Sequence, residues 1–182
     1  MSTIAQSQTL TQTEVPAGTW KADTVHSSVA FEVPYAVATF GGSVDDFDAT
    51  LADGTLAGSA RIESIQLKEE NLRAHLLSPE FFDAERHPVV RFSGELSRDG
   101  DAAKIDGEIT IKGITQPATL AGTIVGPTVD HFGATRIGLQ LETVVDRTAF
   151  DIKWNMPLPN GEPALGNEVT LKADLTLVAQ EA

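Results

Sequence analysis

The chain of 182 residues carries 13 basic and 26 acidic side chains, a formal net charge of −13, and contains no cysteine. The length predicts one domain, and the lack of cysteine excludes a disulfide scaffold, a thiolate nucleophile and a cysteine zinc site. A surface this negative repels phosphate backbones and anionic headgroups, so we expect no nucleic-acid binding.

The first 17 residues are rich in Ser, Thr and Gln, which is typical of a flexible tail. They lack the basic and apolar segments of a secretory signal, so the sequence predicts a cytoplasmic protein with a tail over 1–17 and one domain over 18–180. No run approaches the roughly 18 apolar residues of a membrane span, so we expect no stable membrane insertion.

Apolar and polar residues alternate with a period of two along most of the chain. This alternation is typical of strands that have one face on a core and the other in water. Eight segments follow it, with a short ninth around Trp20; their bounds are 27–35, 45–51, 56–62, 90–96, 105–111, 118–124, 137–145 and 169–177. Turn-forming pairs punctuate the pattern at Asp53-Gly54, Asp99-Gly100 and Gly126-Pro127.

Helical spacing is confined to the segment between Lys68 and Ala84, where Leu72, His75 and Leu76 fall at i, i+3 and i+4. Ser78-Pro79-Glu80 has the order of an N-cap, a first-turn proline and a carboxylate near the positive helix end. The sequence therefore predicts a short helical insertion over 68–84, with a second helix beginning at Ser78.

The outer strands of an open sheet expose unpaired backbone N–H and C=O groups, and closing eight strands into a barrel removes these edges entirely. The predicted fold class is all-β, an eight-stranded antiparallel barrel with the helical insertion. Its inward rows contain several small residues: Gly58, Ala60, Gly94, Gly107, Gly122 and Ala173. Either the glycines are bends and sites of close packing, or the missing side chains leave an apolar cavity suited to a hydrocarbon.

Common catalytic motifs are absent from the sequence, which contains no G-x-S-x-G, no P-loop and no H-E-x-x-H. His75 and His87 are separated by eleven residues that include Pro79, which does not give the i, i+4 geometry of a helical metal pair. We therefore expect no catalytic residue, no metal site and no cofactor. A hydrolase that uses His75 is the catalytic alternative.

Four segments occur in a distinctive order: DTVHSSVAF at 23–31, LRAHLLSPEFFD at 72–83, ITIKGITQP at 109–117 and DRTAFDIKWN at 146–155. Together they resemble the YceI-like family of polyisoprenoid-binding proteins, although Asp151 stands where the family has glycine. The resemblance implies a lipocalin-like barrel with an elongated hydrophobic tunnel. It also implies a long-chain amphipathic ligand, namely a polyisoprenoid, an isoprenoid quinone, or a fatty acid or amide. Dimers occur in the family, so a homodimer is an expectation too.

The candidate ligand-binding residues are Phe31, Tyr35, Leu72, His75, Phe81, Phe82, Phe92 and Trp154. Strand parity predicts that the ring of Tyr35 points inward, like Val33. His75 is expected either to bond within the core or to donate to a headgroup.

Two further residues, His26 and Arg73, are candidate headgroup contacts. We expect His26 to contact Asp23, and Arg73 either to pair with Glu69 or to bind an anionic head. The predicted function is a soluble carrier of a long-chain lipid. The alternative is a filled barrel that acts as a protein-interaction or stress-response module.

Overall fold

The computed structural model describes residues 14–181. They form eleven strands: β1 Thr19–Ala22, β2 Ser28–Tyr35, β3 Ala38–Val44, β4 Phe47–Ala52, β5 Thr55–Arg61, β6 Ile65–Gln66, β7 Val89–Asp99, β8 Ala102–Ile111, β9 Ile114–Val129, β10 Thr135–Asp146 and β11 Glu168–Ala179. One α-helix, α1, spans Glu70–Leu77, and single 3-10 turns span Ile62–Ser64 and Arg147–Phe150. Residues 1–13 of the predicted tail lie outside the described residues, whereas Val15 packs against the core.

The sheet closes on itself because the short strand β1 pairs with β4 on one side and with β11 on the other. The circuit runs β1, β4, β5, β7, β8, β9, β10 and β11, with antiparallel neighbours throughout. The predicted eight-stranded antiparallel barrel is therefore confirmed. Strand β2 pairs with the first half of β11, and β3 joins β2 to β6. These three strands lengthen the barrel wall on the side of β1.

Three local features differ from the prediction. Strand β3 was missed because Gly41-Gly42 interrupts its alternation, although its backbone pairs fully with β2. The second helix does not form, since the Oγ of Ser78 donates to the carbonyl of His75 at 2.6 Å and so completes the end of α1. Gly126-Pro127 lies inside β9 rather than in a turn, next to a shift of register against β10 between Arg136 and Gly138.

The two ends of the barrel interior differ in how densely they are packed. One end is filled by a layer of fully buried side chains, each 0% exposed: Leu51, Ile105, Ile124, Leu139 and Leu177. Along β11, Leu175 and Leu177 are buried, whereas Val169, Leu171 and Ala173 are only partly buried. The inward side chains therefore leave space in the half of the barrel that contains the start of β11.

Close approach between strands explains three of the four inward glycines. Gly94 and Gly107 face each other across β7 and β8, and a Cβ on Gly107 would lie 2.1 Å from the carbonyl oxygen of Ser93. A Cβ on Gly122 would lie 1.8 Å from the carbonyl oxygen of Gln140. At Gly58, by contrast, the nearest atom is 3.5 Å away. Of these glycines, Gly58 is the one whose missing side chain leaves space.

Candidate functional site

An apolar cavity of about 200 Å³ occupies the less densely packed half of the barrel. On β11 its wall includes Val169, Leu171, Ala173 and Leu175, four successive inward positions that span about 20 Å of strand. The opposite wall includes Gly58. An apolar cavity of ~150 Å³ can hold a benzene ring, so this one has room for a segment of hydrocarbon chain.

One end of the cavity is closed by the filled layer of the core. Leu56 and Leu175 line this end, and Leu177, the next inward residue on β11, is fully buried. The other end is bounded by Phe82 after α1, by Phe150 and by Ile152. The cavity is thus a pocket with a closed base, in contrast to a tunnel that passes through the barrel.

Three of the predicted ligand-binding residues, Phe31, Phe82 and Phe92, line this cavity. Sequence reasoning did not propose as ligand-binding the lining residues on β10, on the 3-10 turn after it and on β11, namely Thr143, Val145, Arg147, Phe150, Val169 and Leu171. The inward alternation of β10 and β11 was the available signal, because it places most of these side chains on the same face as the buried residues of the core.

His75, Phe81 and Trp154 form an aromatic cluster and are not among the residues that line the cavity. The His75 ring lies 4.8 Å from Phe81 and 4.6 Å from Trp154, edge to face in both cases. Its Nε2 lies 2.7 Å from Oε2 of Glu80. His75 therefore ties α1 to the turn that carries Phe82. Leu72, on the same helix, is partly buried and does not line the cavity either.

Tyr35 does not point into the barrel, so the prediction from strand parity was wrong. Its side chain is 49% exposed and its ring packs against Phe40 at 6.4 Å. Tyr35 is the last residue of β2 and forms a bridge with Leu165, and Ala36 after it has a positive φ of 50°. The alternation of β2 no longer holds where the chain turns away from the wall.

The two candidate headgroup residues hold the fold together and do not line the cavity. Arg73 donates through Nε to the carbonyl of Ile65 at 2.9 Å and through Nη2 to the carbonyl of Glu63. Its ion pair at 3.7 Å is with Glu70 and not with the expected Glu69, whose carbonyl accepts the backbone N–H of Arg73. Arg73 thereby fastens α1 to the wall next to β6.

The predicted contact between His26 and Asp23 is confirmed, with Nδ1 2.7 Å from Oδ2. Asp23 also accepts from Nη1 of Arg136 at 2.8 Å, and Arg136 bonds Asp130 at 2.6 Å. Hydrogen bonds from Arg136, and secondarily from His26, lower the pKa of Asp23 from its ordinary value of 3.8 to about 2. The group ties the β1–β2 junction to the start of β10.

We expect Asp23→Asn to lower the free energy of unfolding by about 1–2 kcal/mol at pH 7, allowing for the partial exposure of the carboxylate. The folded-state pKa is depressed, so this contribution is complete above the unfolded pKa near 3.8 and is lost as the pH falls toward 2. Urea unfolding of both proteins at pH 7, 5 and 3 measures it. A difference that persists undiminished at pH 3 would contradict the assignment.

Arg147 is the buried cation among the residues that line the cavity, and it is 5% exposed. Its Nε donates to the carbonyl of Gly166 at 2.8 Å, and its Nη1 donates to those of Ile152 and Trp154 at 2.9 and 2.8 Å. Among residues 14–181, no hydrogen-bond partner is present for its Nη2. Burial lowers the pKa of the guanidinium below its ordinary value, and nearby Asp146 opposes that shift.

The 3-10 turn that presents Arg147 is fixed at both ends. Asp146 accepts from the backbone N–H of Thr148 at 2.9 Å and from its hydroxyl at 2.6 Å. Asp151 closes the turn in the left-handed conformation, at a φ of 58°, which is tolerated by aspartate and explains the glycine of the family pattern.

Metal ligands and membrane-spanning helices are the two remaining features of residues 14–181 that bear on function. No group of three or more His, Asp or Glu side chains is gathered in a way that could hold a metal ion. No helix in this part of the chain is long and apolar enough to cross a membrane.

Solved structures similar to this one are also barrels. The crystal structure of BcnA from Burkholderia cenocepacia matches with a TM-score of 0.73 at 18% identity, covering 87% of this chain and 99% of that one. A domain from Saccharophagus degradans, described as polyisoprenoid binding, matches with a TM-score of 0.71 at 10% identity, covering 88% and 98%. At these identities the matches establish a shared fold.

Sequence comparisons point to the same group of proteins. A UPF0312 protein of Pectobacterium atrosepticum is 29% identical over 140 residues, covering 72% of this chain and 73% of that protein. A UPF0312 protein of Staphylococcus aureus is 28% identical over 160 residues, covering 83% and 92%. Protein YceI of Escherichia coli O157:H7 is 26% identical over 140 residues, covering 72% and 73%. The model of the YceI-like domain matches residues 20–177, and the chain therefore belongs to the YceI-like family.

Proposed function

We propose that this protein binds and carries a long-chain amphipathic lipid, whose apolar tail occupies the cavity of the barrel. The observation that carries the proposal is the apolar pocket of about 200 Å³, bounded along β11 by four inward positions. The description of the Saccharophagus degradans neighbour as a polyisoprenoid-binding domain supports it. Catalysis is not part of the proposal.

The size of the cavity bears on the class of tail. Since ~150 Å³ suits a ring of six carbons, about 200 Å³ cannot enclose a whole long polyisoprenoid without movement of side chains. Phe82, which is only partly buried, borders the cavity on the turn after α1. We therefore expect short isoprenoid or fatty acyl tails to bind more tightly than long polyisoprenoids.

The proposed ligand must be held against competition from membranes. Each tail methylene removed from water contributes about 0.8 kcal/mol, but a membrane offers the tail the same gain. Net affinity must therefore come from the fit of the tail and from contacts to the head. The net charge of −13 opposes prolonged contact with anionic bilayers and would favour release of the carrier.

A filled barrel that serves as a protein-interaction or stress-response module is the second function predicted from the sequence. The cavity favours the lipid carrier over this alternative, because a module without a ligand has no need of the space. Homodimer formation stays a prediction, which size-exclusion chromatography with light scattering would check.

The test is extraction of the purified protein with organic solvent, followed by mass spectrometry and by titration of the delipidated protein with an environment-sensitive fluorescent fatty acid. We expect a co-purified lipid or saturable uptake at one site per chain. Repeated recovery of no lipid, together with no uptake of added fatty acid, short isoprenoid quinone or polyprenol, would refute the proposed function.

A further inference from the structure

A purely apolar ligand would not explain why a buried cation, Arg147, borders the cavity. Arg147 is 5% exposed, and three of its hydrogen bonds go to backbone carbonyls. Those carbonyls hold the guanidinium in place without neutralising it. Its Nη2 has no hydrogen-bond partner among residues 14–181.

A buried cation without an anion costs free energy, and a buried N–H without an acceptor adds to that cost. The acidic neighbour in sequence, Asp146, is already engaged with Thr148 at 2.9 and 2.6 Å. No ion pair within 4.0 Å joins Arg147 to a carboxylate in the described part of the chain. Asp146 therefore acts on the guanidinium only without direct contact. In the described part of the chain the guanidinium has no ion pair within 4.0 Å, and its Nη2 has no acceptor.

We infer that Arg147 receives the anionic head of the bound lipid, and that the ligand is a long-chain carboxylic acid. Nη2 is enclosed in the protein without ligand, so a local shift of the cavity wall must bring it to the head. A carboxylate oxygen then accepts from Nη2 and supplies a directly paired negative charge, whereas an ester, amide or alcohol can only accept the hydrogen bond. This inference rests on the proposed function, since it requires the tail to occupy the cavity.

The position of Arg147 also fixes the orientation of the ligand. Arg147 immediately follows β10, and its backbone N–H donates to the carbonyl of Asn167, just before β11 begins. It therefore lies at the end of the cavity away from the filled layer. Asp48 and Lys172 also border the cavity, but both are exposed. The carboxylate therefore lies near Ile152, and the tail runs along β11 toward Leu175.

The first test uses the unaltered protein and four probes with the same tail: dodecanoate, dodecanamide, methyl dodecanoate and dodecanol. Displacement of a fluorescent fatty acid at pH 7.5 gives their relative Kd values. We expect dodecanoate to bind about tenfold or more tightly than each neutral probe, as a charge-assisted hydrogen bond requires. Equal affinity for acid and ester would overturn the inference but leave the proposed function standing. Binding of none of the four would count against the proposed function itself.

The second test measures the same acid-to-ester ratio in Arg147→Lys and Arg147→Met, with Arg86→Gln as the control because the Arg86 side chain is 81% exposed. We expect the preference for the acid to fall in Arg147→Lys, which loses the planar fork, and to vanish in Arg147→Met. It should be unchanged in Arg86→Gln. A structural role alone would weaken all probes equally, and an unchanged ratio in folded Arg147→Lys and Arg147→Met would overturn the inference. The probe series on the unaltered protein decides the matter if Arg147→Met does not fold.

Discussion

Ala173→Phe is expected to abolish lipid uptake while leaving the barrel folded. Ala173 lines the cavity, and its neighbours across the sheet are Val29 on β2 and Leu141 on β10. A phenyl ring placed there enters space that is already empty, and a cavity of about 200 Å³ is large enough to take a six-carbon ring. We expect at least a hundredfold rise in Kd for the fluorescent fatty acid, equivalent to about 2.7 kcal/mol or more.

The matched control is Ala121→Phe, because Ala121 is exposed on the outer face of β9. Fluorescence titration measures binding, and circular dichroism with thermal unfolding measures the fold. Both variants should unfold cooperatively, and Ala121→Phe should bind as the unaltered protein does. If Ala173→Phe were folded and bound the probe normally, the cavity would not be the binding site.

Gly122→Ala is expected to destabilise the barrel by about 2–3 kcal/mol, the upper part of the range for overpacking. The added Cβ would lie 1.8 Å from the carbonyl oxygen of Gln140, and the neighbouring strand can relieve that contact only by moving its backbone. Because Gly122 is not among the residues lining the cavity, this loss is a property of the wall rather than of the site. Urea unfolding at pH 7 measures it.

Gly138→Ala provides the control on the adjoining strand β10, where nothing lies within 4 Å of the added Cβ. We expect its unfolding free energy to match or slightly exceed that of the unaltered protein, since alanine has less backbone freedom to lose on folding. Equal stability of Gly122→Ala and Gly138→Ala would show that β9 and β10 do not approach as closely as described.

The barrel could be predicted from the sequence because its strands alternate locally, and alternation needs no knowledge of distant residues. Where local rules failed, a neighbour in space decided the outcome. Strand β3 forms despite Gly41-Gly42 because β2 supplies a hydrogen-bonding partner along its whole length. Ser78 completes α1 instead of starting a helix, because the carbonyl of His75 is within reach of its hydroxyl.

The site was harder to predict because the same pattern produces both filled and hollow regions. Gly58 and Gly122 both lie on inward rows. An added Cβ would make an ordinary contact at 3.5 Å on Gly58 but would lie 1.8 Å from a carbonyl oxygen on Gly122. The difference depends on how closely the neighbouring backbone approaches each glycine, which the sequence does not display. Likewise, Arg147 belongs to a recognisable motif, but only the structure shows that its Nη2 has no hydrogen-bond partner among the described residues.

The filled layer at one end of the barrel has a kinetic consequence for the proposed lipid ligand. It consists of Leu51, Ile105, Ile124, Leu139 and Leu177. For the proposed lipid this layer obstructs passage through the far side, so we expect entry and departure to take place at the end of the cavity that Phe82 borders. Loading and unloading then share one barrier, so a substitution that slows capture should slow discharge by the same factor if it alters the barrier alone.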